Sequence, residues 1–426
     1  DLRDKLSSLT LSAFPENAAN SSPSNPLSKG LEAGLRALPA ELLVSLELTT
    51  ASLLSSFPTS YSIYKPMLLL PSHALSSASW SKLLSCEGLY SRHLTAIWKS
   101  LAEAVGATHI AINAGIPTEA RDISTITPDS NGGRNILRSP INLTPVYGDF
   151  GPRPTPTLLD TPTRTDFDAA FWVSTCQNGI HQVWAPLYTM FSRGNIREKT
   201  RLLTLPSVVG VNGDGVDLYA GIGYFAFSYK KAGFKKILCW ELNPWSVEGL
   251  RRGAERNGWT TRIFKSAGVM ARSGLERELE EWCGEVAKDV DFLVFQQSNE
   301  SAVDLISRLA GSANLGNGKD GRGKIGRVRH VNCGLLPSSS QSWKTAVRVV
   351  DPMVGGWIHV HENVGVNDIE TKEREVVSEL QKYLDAWCVE RGMSSATRRT
   401  VRCEHVERVK TYAPGVLHVV FDIWVD

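Results

Sequence analysis

The spacing of apolar residues changes rhythm twice along the chain. Roughly the first 60 residues are rich in Ser, Ala, Leu and Pro and poor in charge, and segments such as Asn17 to Ser28 carry turn formers without a period. This part (1–60) reads as a variable, partly ordered leader. From Tyr61 to Leu205 short apolar runs, among them His109-Ile110-Ala111-Ile112 and Phe171-Trp172-Val173, alternate with Pro/Gly/Asn-rich loops such as Thr125 to Asn135. That pattern predicts a small mixed α+β unit over 61–205. Beyond residue 206 strands alternate with helices. The expected strands are Gly215 to Tyr219, Lys236 to Trp240, Thr261 to Phe264, Val290 to Phe295, Arg329 to Cys333, Trp357 to His361 and Leu417 to Val425. The expected helices are Phe225 to Ala232, Pro244 to Asn257, Ala271 to Ala287, Asn299 to Ala310, Gln341 to Val350 and Glu370 to Arg391. Pro244 sits where a first-turn proline is tolerated, with Asn243 as its N-cap. Such alternation implies a parallel, doubly wound sheet over 206–426, interrupted by a Gly/Asn/Lys-rich insertion from Gly311 to Arg327.

The end of the pattern narrows the fold. A long helix is followed by two extended runs, Arg398 to Lys410 and Val416 to Val425, with Tyr412-Ala413-Pro414-Gly415 as the turn between them. A hairpin closing an otherwise parallel sheet resembles the class I S-adenosylmethionine-dependent transferases: an α/β, Rossmann-like domain with a seven-stranded sheet and an antiparallel last strand. A dinucleotide dehydrogenase would continue with βα units.

Composition is that of a globular chain: 426 residues, 42% hydrophobic and 21% charged, with 46 Lys+Arg against 44 Asp+Glu for a formal charge of +2. No stretch approaches the roughly 20 apolar residues of a membrane helix; the best candidate, Pro66-Met67-Leu68-Leu69-Leu70-Pro71, is short and bracketed by prolines. The seven cysteines (86, 176, 239, 283, 333, 388, 403) form neither a CxxC pair nor a ladder of short spacings, which argues against a zinc ribbon or a disulfide framework and suits reduced cytoplasmic thiols. The chain opens at Asp1 without a basic-then-apolar leader, so no secretory signal is read.

The first strand of the alternating region runs into Asp217-Leu218-Tyr219-Ala220-Gly221-Ile222-Gly223-Tyr224-Phe225. Glycines at the carboxyl end of a strand let the backbone turn sharply and a ligand approach the main chain, at the place where open α/β sheets bind ligands. The spacing is Asp-x-x-x-Gly-x-Gly and lacks the third glycine that accompanies a pyrophosphate. An acid before the glycines favours a cationic sulfonium with an α-amino group. The second strand ends at Glu241, about 20 residues on, where a carboxylate accepts both ribose hydroxyls of an adenosine. Together these features predict nucleoside binding, with S-adenosylmethionine preferred over NAD, and make Asp217, Tyr219, Gly221, Gly223 and Glu241 the expected cofactor contacts. Tyr219, Tyr224 and Phe225 suit either stacking on a base or core packing. His359 and His361 share a strand face, but no third ligand is evident, so a satisfied strand pair is expected and no metal.

These residues resemble a family. Asp217 to Phe225, Glu241-Leu242-Asn243-Pro244 and Leu250-Arg251-Arg252 look like motifs shared by the tRNA guanine-37 nitrogen-1 methyltransferases and the tRNA wybutosine-synthesizing protein 2 family. Further segments favour the second family: Gln177-Asn178-Gly179-Ile180, the run from Met190 to Lys199, Asn299 to Ala302, His330 to Ser339, Gly355 to Val364 and Val409 to Pro414. The resemblance covers roughly residues 60 to 426. It implies transfer of the 3-amino-3-carboxypropyl group of S-adenosylmethionine onto carbon 7 of 4-demethylwyosine in phenylalanine tRNA, with 5′-methylthioadenosine released, by a monomeric chain. It places Ser192 and Lys199 on cofactor contacts, Lys199 as a cation for the carboxylate; a solvated basic face is the other reading of Lys199. In Gly334-Leu335-Leu336-Pro337-Ser338-Ser339 the Asn-Leu-Pro motif of the methyltransferases is absent, which suits a tricyclic, more apolar base. Leu336, Pro337 and Ser338, with Arg193 upstream, are the implied substrate contacts, and Ser338 or Ser339 also suits an N-cap.

Two departures stand out. Gln177 replaces the family's usual Glu, and Ser266-Ala267-Gly268-Val269-Met270 follows the strand Thr261 to Phe264, where the superfamily places an acid for the adenine amino group. A methyltransferase on the same scaffold and a catalytically silent tRNA-binding homologue are the competing readings. No residue stands out as a catalytic base; displacement at a sulfonium by an electron-rich ring carbon mainly needs alignment. Between Arg193 and Arg272 there are 14 Lys/Arg and 6 Asp/Glu, so the near-neutral total hides a basic stretch beside the expected entrance, where an RNA backbone would approach.

Overall fold

Four-residue runs that are apolar at every position, such as Ile237-Leu238-Cys239-Trp240 and Phe292-Leu293-Val294-Phe295, carry hydrophobic side chains on both faces and therefore need cover on both sides. In the computed structural model, which describes residues 25–113, 143–265, 290–311, 325–392 and 399–426, they lie inside an eight-stranded sheet with helices on each face.

The chain begins with three helices, α1 (Pro26–Leu35), α2 (Ala40–Ser45) and α3 (Thr50–Ser55), followed by β1 (Ser62–Tyr64), β2 (Met67–Leu70), α4 (Ala78–Glu87), α5 (Arg92–Ala104), β3 (His109–Asn113) and β4 (Leu143–Tyr147). The strands form a sheet in the order β1-β2-β3-β4. Residues from Asn25 onward, expected in a partly ordered leader, instead supply the core of this unit: Leu27, Leu31, Leu35, Leu53 and Phe57 pack with Trp80, Trp98 and Leu101. The sparse charge that suggested disorder is the signature of helices buried on one side.

Two short helices, α6 (Pro156–Asp160) and α7 (Arg164–Ala169), lead to a hairpin, β5 (Val173–Gln177) and β6 (Ile180–Trp184), turned at Asn178-Gly179 with positive φ at both residues (54° and 67°). Helix α8 (Ile196–Leu202) then leads into the large sheet. Its elements are β7 (Asp214–Asp217), α9 (Ala226–Lys231), β8 (Ile237–Trp240), α10 (Pro244–Arg256), β9 (Thr261–Lys265), β10 (Phe292–Gln296), α11 (Ala302–Gly311), β11 (Val328–Cys333), α12 (Trp343–Val349), β12 (Gly356–Gly365), α13 (Ile369–Glu390), β13 (Val401–Ala413) and β14 (Val416–Val425). Asn243 caps α10 through its side chain, with Pro244 at the first position.

The strand order is β13-β14-β12-β11-β7-β8-β10-β9. Strands β7 to β12 pair in parallel, and β14 lies antiparallel between β12 and β13. Two expectations change. The sheet has eight strands rather than seven, because the extended run after the long helix forms a full strand, β13, at the edge beyond β14. The strand beside β8 is β10, not β9, so Thr261 to Phe264 does not occupy the third place. The expected helix Ala271 to Ala287, the Ser266–Met270 stretch and most of the Gly311–Arg327 insertion lie outside the described residues. One core packs Leu238, Leu293, Val331, Ile358 and Phe421 against α11, α12 and α13. The other packs Ile237, Cys239, Phe292 and Val294 against α9 and α10.

Candidate functional site

The carboxyl ends of β7, β8, β10, β11 and β12 converge on one edge of the sheet, and the order reverses between β7 and β11, which makes this the crevice of the fold. After β7 the chain turns through Gly221 (φ +54°) and Gly223 (φ +87°), a region L side chains avoid. A Cβ at Gly221 would stand 2.8 Å from the Tyr224 ring, and one at Gly223 2.6 Å from the Phe227 ring. Gly223→Ala is therefore expected to cost at least about 2 kcal/mol through backbone strain and overpacking. Urea denaturation reads this directly, and a midpoint equal to that of the unaltered protein would show that the loop accommodates a side chain.

Glu241, at the end of β8, reaches across this turn. One of its oxygens accepts the Gly221 N–H and the other the Asn243 N–H, both at 2.8 Å. Asp217 is fully buried and accepts from Asn332 Nδ2 at 3.1 Å and the Tyr219 N–H at 3.2 Å. Burial pushes the Asp217 carboxyl up to about 6 and raises that of Glu241, whose neighbour Asp217 adds to the effect. Among the described residues neither acid has an ion-pair partner. Two adjacent carboxylates without a counter-cation, over a main-chain turn open to close approach, fit a cationic sulfonium nucleoside.

The third wall comes from β10, whose end runs into Gln297-Ser298-Asn299. Asn299 Nδ2 donates to the Leu218 carbonyl at 2.9 Å, tying this end to that of β7. Asn299 is thereby held between the carboxyl ends of β7 and β10. The stretch Ser266–Met270, where an acid for the adenine was missed, lies outside the described residues, and the strand beside β8 ends instead in Gln297-Ser298-Asn299.

Ser192 and Lys199 approach from the linker before β7. The Ser192 N–H donates to Tyr224 Oη (3.3 Å), which itself donates to the Met190 carbonyl (2.5 Å), and Ser192 Oγ accepts from Lys410 Nζ (3.4 Å). Tyr224 is thus a structural tie, and Phe225 is core. Lys199 is not on a solvated face: it is 4% exposed, with Nζ 3.0 Å from Gln177 Oε1 and 2.7 Å from Gln182 Oε1, and about 5 Å from the Phe191 and Tyr224 ring centroids. Burial pulls its pKa down to about 7. No carboxylate pairs with it among the described residues, so nothing there offsets the cost of burying its charge.

A network that the sequence reading missed holds this wall in place. Arg201 pairs with Glu198 (2.7 Å) and Asp422 of β14 (2.5 Å); Asp422 accepts from His359 Nδ1 (2.7 Å), and His359 Nε2 meets His330 Nδ1 (2.9 Å). On the other side His361 bridges Asn332 and His418. The two histidines are a satisfied strand pair, as expected, and among the described residues no group of His, Cys, Asp and Glu is arranged to hold a metal. Polar residues at alternate positions of an otherwise apolar strand, His330 and Asn332, were the available signal.

In the loop after β11, Leu336 is half-buried and Pro337 exposed. The Ser338 and Ser339 hydroxyls donate to Glu362 (3.0 and 3.2 Å); Ser339 takes the expected N-cap position of the following 3-10 turn without a side-chain cap bond, and Ser338 Oγ accepts the Ser340 N–H (3.2 Å). Ser338 is therefore committed to positioning the loop. Arg193 is exposed at the mouth, with Nη1 3.1 Å from Ser62 Oγ. Much of the local positive charge is internal: Arg251 and Arg252 pair with Glu248, Lys230 with Asp291, and Arg201 is in the network above. The described cysteines are free.

The sheet order, the glycine turn and the two carboxylates define a class I S-adenosylmethionine-dependent transferase. The family described as TRM5/TYW2 methyltransferase domain matches residues 176–269. The chain is 37% identical to tRNA wybutosine-synthesizing protein 2 of Schizosaccharomyces pombe over 370 residues (86% of this chain, 72% of that one), and 32% identical to its Saccharomyces cerevisiae namesake over 406 residues (87% and 75%). It belongs to the tRNA wybutosine-synthesizing protein 2 family. A crystal structure of Pyrococcus horikoshii TYW2 in complex with MeSAdo shares the fold, with TM-score 0.51, 16% identity, and coverage of 94% of this chain and 98% of that one. No described helix is long and apolar enough to cross a membrane.

Proposed function

We propose that this chain transfers the 3-amino-3-carboxypropyl group of S-adenosylmethionine to carbon 7 of 4-demethylwyosine at position 37 of phenylalanine tRNA, releasing 5′-methylthioadenosine. The observation that carries the reading is the unpaired Asp217/Glu241 carboxylates at the sheet's switch point, beside a base-binding loop without an amide, in a chain of this family. S-adenosylmethionine supplies a sulfonium with three displaceable carbons. The ring carbon forms a bond to the γ-carbon of the aminocarboxypropyl chain, the carbon–sulfur bond breaks with its electron pair going to sulfur, and the ring proton leaves to solvent. The protein's part is orientation. In this reading Glu241 holds the ribose and Gly221 and Gly223 admit the cofactor to the main chain. Asp217 and Tyr219 line the sulfonium side, Asn299 and exposed Leu242 flank the adenine, and Ser192 and Lys199 form the wall behind. Leu336 and Pro337 face the tricyclic base, and Arg193 meets RNA phosphate. The protein acts as a cytoplasmic monomer.

The test is incubation with tRNA carrying the tricyclic precursor, followed by mass analysis of nucleosides and spent cofactor. The expected products are an aminocarboxypropylated base and 5′-methylthioadenosine. S-adenosylhomocysteine would instead mean methyl transfer, and no cofactor turnover or binding would mean a tRNA-binding homologue.

A further inference from the structure

Three strands at the closed end of the sheet place an unassigned set of polar atoms beside this site. His418 of β14 is in direct register with Asn363 of β12 and with Lys410 of β13, so the three side chains share one face, with Cβ spacings of roughly 5 Å. Alternation puts Asn363 on the same face as His361, the residue that bonds Asn332 beside Asp217. Lys410 Nζ reaches Ser192 Oγ, and an added Cβ at Gly194 would stand 2.6 Å from that nitrogen, so the row closes against the linker loop.

The row is unsaturated. Both polar side-chain atoms of Asn363 and Nδ1 of His418 are buried without a partner, and Lys410, half-buried, has no carboxylate among the described residues. The direction of the hydrogen bonds fixes what each offers. Asp217 only accepts, so Asn332 presents its amide nitrogen to Asp217 and its oxygen to His361 Nε2–H. His361 Nδ1 then accepts from His418 Nε2–H, which leaves His418 Nδ1 as a lone pair. The face therefore offers two acceptors, His418 Nδ1 and Asn363 Oδ1, and two donors, Asn363 Nδ2 and the Lys410 ammonium. A phosphate would satisfy the donors and strand the acceptors. A zwitterionic α-amino acid satisfies both, its carboxylate on the donors and its ammonium on the acceptors.

We infer that Asn363, His418 and Lys410 form the subsite for the α-amino-acid head of S-adenosylmethionine, which deepens and rests on the cofactor reading above. Held there, the chain to be transferred extends from the sulfonium past the loop Gly334–Ser339, where the acceptor base is placed.

The test is calorimetry on the intact protein with three ligands: S-adenosylmethionine, S-adenosylhomocysteine, and 5′-methylthioadenosine, which lacks the head. Asn363→Leu and Lys410→Met are each expected to weaken the first two about ten-fold or more, as loss of a hydrogen bond to a charged group does, while 5′-methylthioadenosine stays within about two-fold. Equal weakening of all three ligands would overturn the proposal by making the row structural. Unchanged cofactor affinity with a raised KM for tRNA would overturn it by assigning the row to RNA. Glu241→Ala reports on the cofactor reading separately: it should weaken all three ligands, and if it weakens none, that reading fails whatever the row does.

Discussion

Replacing Arg201 by Met lowers the stability of the protein by about 3–5 kcal/mol, the range for breaking a buried ion pair by removing one partner. The guanidinium donates twice to Glu198 (2.7 Å each) and twice to Asp422 (2.5 and 2.9 Å), and those carboxylates are 0% and 2% exposed. Without it two negative groups stay in an interior that water does not reach. Burial opposes ionisation of Asp422, yet His359 and Arg201 hold its carboxyl well below the usual range, whereas burial raises that of Glu198 despite Arg201. The triple variant Arg201→Met, Glu198→Leu, Asp422→Asn should recover much of the loss, because the deficit comes from orphaned charge rather than missing contacts. Urea denaturation with a constant slope measures it. A loss under about 1 kcal/mol would mean that the carboxylates find other partners, and the claim that this network rivets α8 to β14 would fall. The functional reach is through position, since α8 carries Lys199 and follows the Ser192 loop.

Glu241→Ala should weaken S-adenosylmethionine binding by about two orders of magnitude in a protein that still folds. Each hydrogen bond to a charged acceptor contributes roughly 1.5–3 kcal/mol, and a carboxylate at this strand end serves two ribose hydroxyls. The substitution also leaves the Gly221 and Asn243 N–H groups without this acceptor, Asn243 being buried, so some loss of stability accompanies the loss of affinity. Calorimetry gives the affinity and a thermal melt controls for folding. tRNA affinity should stay within about two-fold, because affinity for a polyanion comes mainly from cationic side chains and Glu241 carries no positive charge. Cofactor binding unchanged by the substitution, or cofactor and tRNA lost together, would each remove Glu241 from its role.

Local pattern was enough to delimit most elements of the sheet domain. β8 begins one residue from where the apolar run predicts, β12 begins one residue early and extends four further, and α10 ends one residue short. The glycine turn and Glu241 were equally legible, because strand-end chemistry is local: a turn needs positive φ within a few residues of the strand, and the acid follows one βα unit later. Lys199 was recognisable by motif, but its burial was not. A lysine flanked by Arg197 and Arg201 has the composition of a wet face, and only the β5–β6 hairpin, folding Gln177 and Gln182 over it, makes it an interior cation.

The sequence by itself determined most strands and helices of the sheet domain, that the sheet is parallel with a hairpin end, and that a glycine turn and an acid follow its first two strands. All of these depend on periodicity, capping and turn chemistry within about 20 residues. Only the tertiary structure decided that β10 rather than β9 stands beside β8, that Asn299 is therefore tied to the end of β7, that Arg201 meets Asp422, and that Asn363, His418 and Lys410 share one row. Those pairings join residues tens to hundreds of positions apart. An apolar run carries no record of which other run will take up its backbone hydrogen bonds; that choice is made when the whole sheet closes over its two cores.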